Sequence, residues 1–297
     1  MSVPFITDRD LLRRRLVRAA RRPGDDAAFL LARAVDDLGA RLAAVERRFA
    51  RAVALGGYNA GLADMLVQSG KADTVFRMEI SPELAGNSGH PVFVADEEHL
   101  PIAPASVDLI ASALALQFVN DLPGALLQVC RALRPDGLFL GSLLGGQTLH
   151  ELRSSFTEAE VDLRGGAGPR FLPFADVRDL GGLLQRAGFA LPVADRDVII
   201  VRYDTAFDLI RDLKAMGASN MLADRERKPM RRDVLLAAAE TYQRRFADPD
   251  GRIRATFEIV SLSGWAPHES QQKPAARGSA QTSLADFLSS GGRNTRR

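Results

Sequence analysis

"AVALGGYNAGLADML", residues 52–66, decides the fold class. Val53 to Leu55 read as the end of a strand. Gly56, Gly57 and Gly61 lie in or beside a turn, and Leu62, Met65 and Leu66 recur at helical spacing. Strand, glycine turn and helix in this order are where an α/β chain receives a nucleotide-like cofactor. Two features depart from that pattern. Tyr58 stands where bare backbone is expected, and no acid ends the strand.

The alternation continues outward from this stretch. "DTVFRMEI", "HPVFVA", "SVDLIASAL" and "LFLGSLL" are further strands, and "LPGALLQVCRAL" is a helix stopped by "RPDG". "DVIIVRY" and "RATFEIVSLSGWA" add two strands, with helices near 205–216 and 231–246 between them. The pattern predicts a doubly wound, mostly parallel seven-stranded sheet with helices on both faces. We divide the chain into an N-terminal helical segment (1–50), an α/β domain (51–265) with a helical insertion at about 203–250, and a mobile polar tail (266–297).

The bulk numbers agree with one large or two small globular domains. A chain of 297 residues buries roughly 75% of its unfolded surface. It is 46% hydrophobic and 26% charged, with a net charge of +2. The pI is near 8.9, but no basic stripe interleaved with aromatics points to nucleic acid. Cys130 is the only cysteine, which fits a reducing compartment and a buried structural thiol. No apolar run reaches the roughly 18 residues of a membrane span. The arginine-rich start carries Asp8 and Asp10, out of character for a transit peptide, so it reads as mature protein whose basic face is either simply solvated or touches an acidic surface such as a membrane. "LRGGAGPR", 163–170, is either a lid or a plain surface loop.

In an open α/β sheet, ligands bind beyond the carboxyl ends of the strands. Gly56 to Gly61, Glu79, Asp96 with Glu97, and Leu116 to Asn120 fall at those ends. An acid after the second strand can accept both hydroxyls of an adenosine ribose. Asp96 is placed to accept an exocyclic amine. His90, His99, His150 and His268 lack metal-ligand spacing, and we assign no metal.

These residues resemble the class I S-adenosylmethionine-dependent methyltransferases. Within them, the chain is similar to the mitochondrial and alphaproteobacterial family of complex I assembly factors. The shared pieces include "FITDRDLLRRR", "VFVADEEHLPI", "LRPDGLFLGSLLGGQTLHELR" and the distinctive "GWAPHESQQKPAARGSA". The resemblance implies S-adenosylmethionine as cofactor, with Gly56, Gly57, Glu79, Asp96, Glu97 and Leu116 around it. It implies hydroxylation of an arginine on an iron–sulfur subunit of respiratory complex I, in the cytoplasm of a bacterium or the mitochondrial matrix of a eukaryote. Gln117 is a weaker candidate for orienting substrate, since Gln117 and Phe118 stand where relatives often carry His and Trp. No catalytic residue is assigned.

Against the family pattern, Ala54 replaces the strand-end acid, Tyr58 the middle glycine and Ala60 the last. The adenosine half of the pocket reads as intact and the methionine half as altered. On this reading, Tyr58→Gly with Ala54→Asp tightens cofactor binding. Conventional methyl transfer and a non-catalytic binding module are the two alternative functions.

Overall fold

The computed structural model describes residues 5–21, 28–86 and 89–272. It divides into two compact units, Met1–Pro267 and His268–Arg297. Of the second, only residues 268–272 are described. There the His268 N–H donates to Gln271 Oε1 at 3.1 Å, and His268 Nδ1 lies 2.6 Å from Ser270 Oγ. The rest of the tail expected to be mobile lies outside the described residues.

The first unit is built on seven strands: β1 (Phe49–Leu55), β2 (Ala72–Glu79), β3 (Val92–Val94), β4 (Val107–Ala113), β5 (Leu133–Leu144), β6 (Ala190–Tyr203) and β7 (Ile253–Trp265). Their order is β3-β2-β1-β4-β5-β7-β6. The first five pair in parallel, and β7 runs antiparallel to both β5 and β6. This is the doubly wound, mostly parallel sheet that the alternating pattern predicts.

The helices are α1 (Arg9–Ala20), α2 (Phe29–Ala43), α3 (Gly61–Gln68), α4 (Pro82–Ala85), α5 (Leu122–Ala132), α6 (His150–Arg164), α7 (Val177–Arg186), α8 (Ala206–Ala215) and α9 (Arg232–Phe246). Leu38, Leu42, Leu62 and Leu66 of α2 and α3 pack with Phe49, Ala54 and Leu109 into one core cluster. Leu126 and Val129 of α5 and Leu180 and Leu184 of α7 pack with Val53, Ile110 and Phe139 into another. Apolar residues alternate along β1 and β4 between these two clusters, because successive side chains of a strand leave opposite faces. Cys130 is half-buried against the second cluster, where burial pushes its thiol up. A third cluster joins α6, α8 and α9 to β7 around Leu209, Tyr242 and Phe257.

Two strands are longer than their sequence signals. β5 begins at Leu133 and carries Pro135 and Gly137 within it, where the sequence suggests a turn before the strand. Asp136 adopts φ +64°, and the pairing of β4 with β5 shifts register between Val107 and Leu109. The turn residues therefore make a bulge inside the ladder, since pairing on both sides of it continues. β6 starts at Ala190, not near Asp197, because its whole length pairs with β7.

Candidate functional site

β1 and β4 are neighbours in the sheet although β2 and β3 intervene in the chain. The strand order reverses there, which opens a crevice at the carboxyl ends of the strands. A cavity of about 1190 Å³, its open mouth included, lies at that point. Gly56, Gly57 and Tyr58 line it after β1, Glu79 and Ile80 at the end of β2, Glu97 after β3, and Ala113 to Ala115 with Gln117 at the end of β4 and beyond.

The turn after β1 is tight. Gly56 and Gly57 have φ of +71° and +115°. A Cβ on Gly56 would lie 2.6 Å from Ala115 Cβ and 3.1 Å from Glu97 Oε1, so only glycine lets the loops after β1, β3 and β4 meet. Tyr58 follows at φ +43°, taking the left-handed backbone that a glycine would adopt without cost. Leu114 and Leu149 have φ of +50° and +53°, and they line the same cavity. Such backbone costs about 1–3 kcal/mol per residue and gathers at working sites.

Glu79 is buried at the end of β2. Its Oε1 accepts from Arg77 Nη2 at 2.6 Å, and Arg77 is itself buried. Burial outweighs this bond and pushes the Glu79 carboxyl up to about 7. An ionised carboxylate only accepts hydrogen bonds, whereas the acid also donates. Affinity for a ligand held through two hydroxyls is therefore expected to rise with pH from about pH 6 to about pH 8. Calorimetry across that range checks this, and Glu79→Gln is expected to flatten the profile.

Asp96 and Glu97 are claimed by a residue far away in sequence. Arg9 of α1 donates to Asp96 Oδ1 at 2.6 Å and to Glu97 Oε2, lies 3.8 Å from Glu98 Oε1, and donates to the Phe118 carbonyl at 3.3 Å. Asp96 also accepts the Glu98 N–H at 2.9 Å. Glu97 lines the cavity; Asp96 does not. Residues 6–8 are fastened the same way. Ile6 and Thr7 N–H donate to Asn120 Oδ1 at 2.7 and 2.8 Å, and Asp8, the N-cap of α1, pairs with Arg225 at 3.0 Å. Leu12 and Leu16 thereby close one wall of the cavity.

The remaining candidates separate. Leu116 is buried in the core beneath the 3₁₀ turn Leu116–Phe118 and does not line the cavity. Gln117 does line it, and its Nε2 donates to the Leu114 carbonyl at 2.8 Å. In the glycine-rich stretch 163–170, residues 165–167 are exposed, while Arg170 at its end, with Phe171, Leu172 and Phe174 beyond it, forms a further wall. Arg170 is anchored there through its ion pair with Glu160. Among the described residues, no three His, Cys, Asp or Glu side chains gather as a metal site.

Ala54 is buried in the core beside Leu109 and Ala111 and does not line the cavity. This changes the expectation for Tyr58→Gly with Ala54→Asp. A carboxyl at position 54 enters apolar packing without a partner, so the pair is expected to lower stability by about 2 kcal/mol and not to tighten binding. A denaturant titration of the double variant beside Tyr58→Gly alone checks this.

Sequence reasoning missed Arg9, Arg77 and Arg170. Arg77 was within reach, since residues i and i+2 share one face of a strand. Nothing local distinguishes Arg9 from its neighbours in "DRDLLRRRLVR".

Comparison with known proteins places this geometry. A family model described as "Methyltransferase domain" matches residues 53–141. The human protein "Arginine-hydroxylase NDUFAF5, mitochondrial" is 40% identical over 291 residues, covering 95% of this chain and 83% of that one. The chain belongs to the class I methyltransferase-like family of the arginine hydroxylases. The zebrafish (Danio rerio) protein of that name is 45% identical over 194 residues, a match spanning 65% of this chain and 60% of that protein. A malonyl-[acyl-carrier protein] O-methyltransferase of Laribacter hongkongensis is 35% identical, covering 90% of this chain and 92% of its own. Among solved structures, the YcgJ protein of Bacillus subtilis superposes with a TM-score of 0.55 at 14% identity, over 78% of this chain and 99% of that one, a likeness of fold.

The fold family implies an adenosyl cofactor, and the residues of this family member fit one at the nucleoside end. The Gly56 turn leaves the close approach that a Cβ would fill, and Glu79 offers a buried carboxylate where ribose hydroxyls would lie. Ile80 and Ala115 supply apolar surface beside them.

Proposed function

We propose that this arginine-hydroxylase family member binds S-adenosylmethionine and modifies an arginine on an iron–sulfur subunit of respiratory complex I during assembly. The observation that carries this reading is the near full-length kinship with the human arginine hydroxylase, joined to a cavity built at the sheet's switch point. The setting is the cytoplasm in a bacterium or the mitochondrial matrix in a eukaryote, with peripheral contact to the membrane.

In this reading Glu79 accepts the ribose hydroxyls, and the Gly56–Gly57 backbone lies against the cofactor. Bound S-adenosylmethionine supplies an electron-poor sulfonium centre. Hydroxylation turns a C–H bond into C–OH and draws its oxygen and two oxidising equivalents from a co-substrate. Leu12, Leu16, Phe171 and Phe174 exclude water from the cavity. Gln117, fixed by the Leu114 carbonyl, is the candidate for orienting the acceptor.

The test is deletion of the gene followed by mass spectrometry of the complex I subunits. Loss of one added oxygen on an arginine, with stalled assembly, is the expected result. An unchanged arginine mass and normal assembly reject the reading. Loss of a methyl group instead of an oxygen assigns conventional methyl transfer.

A further inference from the structure

Beside the cavity, Glu79 is paired with Arg77 and Arg170 with Glu160, but the charges around Arg9 do not balance. Asp96, Glu97 and Glu98 converge on the single guanidinium of Arg9. Glu98 is otherwise bonded to neutral groups, the N–H and Nδ2 of Asn120 at 2.6 and 2.9 Å. Of the three acids, Glu97 alone lines the cavity, and its side chain is 5% exposed. Its Oε2 is held by Arg9, which turns Oε1 toward Gly56, 3.1 Å from where a Cβ would stand. Glu79 lines the same cavity, and the charges of the two carboxylates repel. The end of β1 adds no carboxylate, because Ala54 stands there and packs into the core.

We propose that Glu97, pinned by Arg9 against the Gly56 turn, is the residue through which the cavity selects a positively charged adenosyl ligand over a neutral one. This rests on the adenosyl reading above and adds to it the group that answers the sulfonium or ammonium charge. Glu97 shares its one guanidinium with two further carboxylates, so a positive ligand is favourable beside it, since an opposite charge nearby stabilises the ionised form. Burial pushes the Glu97 carboxyl up in spite of the Arg9 guanidinium beside it.

Calorimetric titration of the full chain with S-adenosylmethionine and with S-adenosylhomocysteine tests this. The two ligands differ by one methyl and the sulfonium charge. Glu97→Gln is expected to weaken the charged ligand relative to the neutral one by about tenfold, the scale of one charge-assisted contact. An unchanged affinity ratio overturns the assignment while leaving the adenosyl reading intact. Failure of both ligands to bind the wild-type chain rejects the adenosyl reading itself and this inference with it. N-acetyl-arginine methylamide serves as a further probe. If Glu97→Gln weakens only this probe, Glu97 serves the acceptor and the assignment is overturned. Should the variant not fold, Glu97→Asp, which keeps the charge but withdraws it from the Gly56 turn, is expected to lower the same affinity ratio, and an unchanged ratio overturns the proposal. Titrations in buffers of different ionisation enthalpy are expected to show more proton release with the charged ligand, and equal release overturns the proposal.

Discussion

Arg9→Leu is expected to lower stability by about 3–5 kcal/mol near pH 8 and by much less near pH 5. The substitution keeps an apolar side chain on α1 but strips the counter-charge from Glu97, which is almost fully buried, and from Asp96. Breaking one side of a buried ion pair costs more than never having made it, because the remaining charge stays desolvated. The pH dependence follows from the direction in which burial moves Glu97. Its carboxyl is raised above the unfolded value, so the folded state holds the proton over a range where the unfolded chain has released it. Stability therefore falls as pH rises through that range. Without Arg9 the fall steepens, and a protonated Glu97 at low pH needs no partner. Urea titrations at the two pH values measure this. Equal losses at both would show that Arg9 acts through packing alone.

Gly56→Val is expected to abolish adenosyl-ligand binding, weakening it by more than about 100-fold, and to cost roughly 3 kcal/mol of stability. Two independent physical effects act together. At φ +71° a β-branched residue is strained whatever the space around it. The added atoms also meet Ala115 Cβ and Glu97 Oε1, so the loops after β3 and β4 must move apart. Gly57→Val serves as the comparison. It has φ +115° but no heavy atom within 4 Å of its Cβ position, so it carries the backbone strain without the collision. Calorimetry separates the two. Equal loss of binding at both positions would mean that conformation, not close approach, makes the cradle.

The fold was legible because its signals are local. Apolar runs of four to seven residues, broken by glycine and proline, mark strands whatever they pair with. The exceptions come from pairing with other strands. The "RPDG" stretch carries turn chemistry, yet β5 runs through it, because pairing with β4 resumes after the bulge. The site was legible in part. Gly56, Gly57, Glu79, Glu97 and Gln117 meet at one cavity, because loops at the same end of neighbouring parallel strands must meet. Asp96 and Leu116 come from the same loops and do not line it, since a side chain's direction depends on one residue of register.

The sequence alone determined the alternation of strands and helices, the glycine turn after β1 and the acids that close β2 and β3. Periodicity and turn chemistry act over a few residues and need no partner. Only the tertiary structure decided which charges those acids meet. Arg9 lies 88 residues before Glu97 and is one of several arginines on α1 that look alike in sequence. The register in which the N-terminal segment docks on Asn120 and Arg225 selects it. Ala54 likewise showed an acid to be missing, but packing alone revealed that its side chain faces the core. Long-range electrostatics depends on distances that folding sets, and the order of residues along the chain does not contain them.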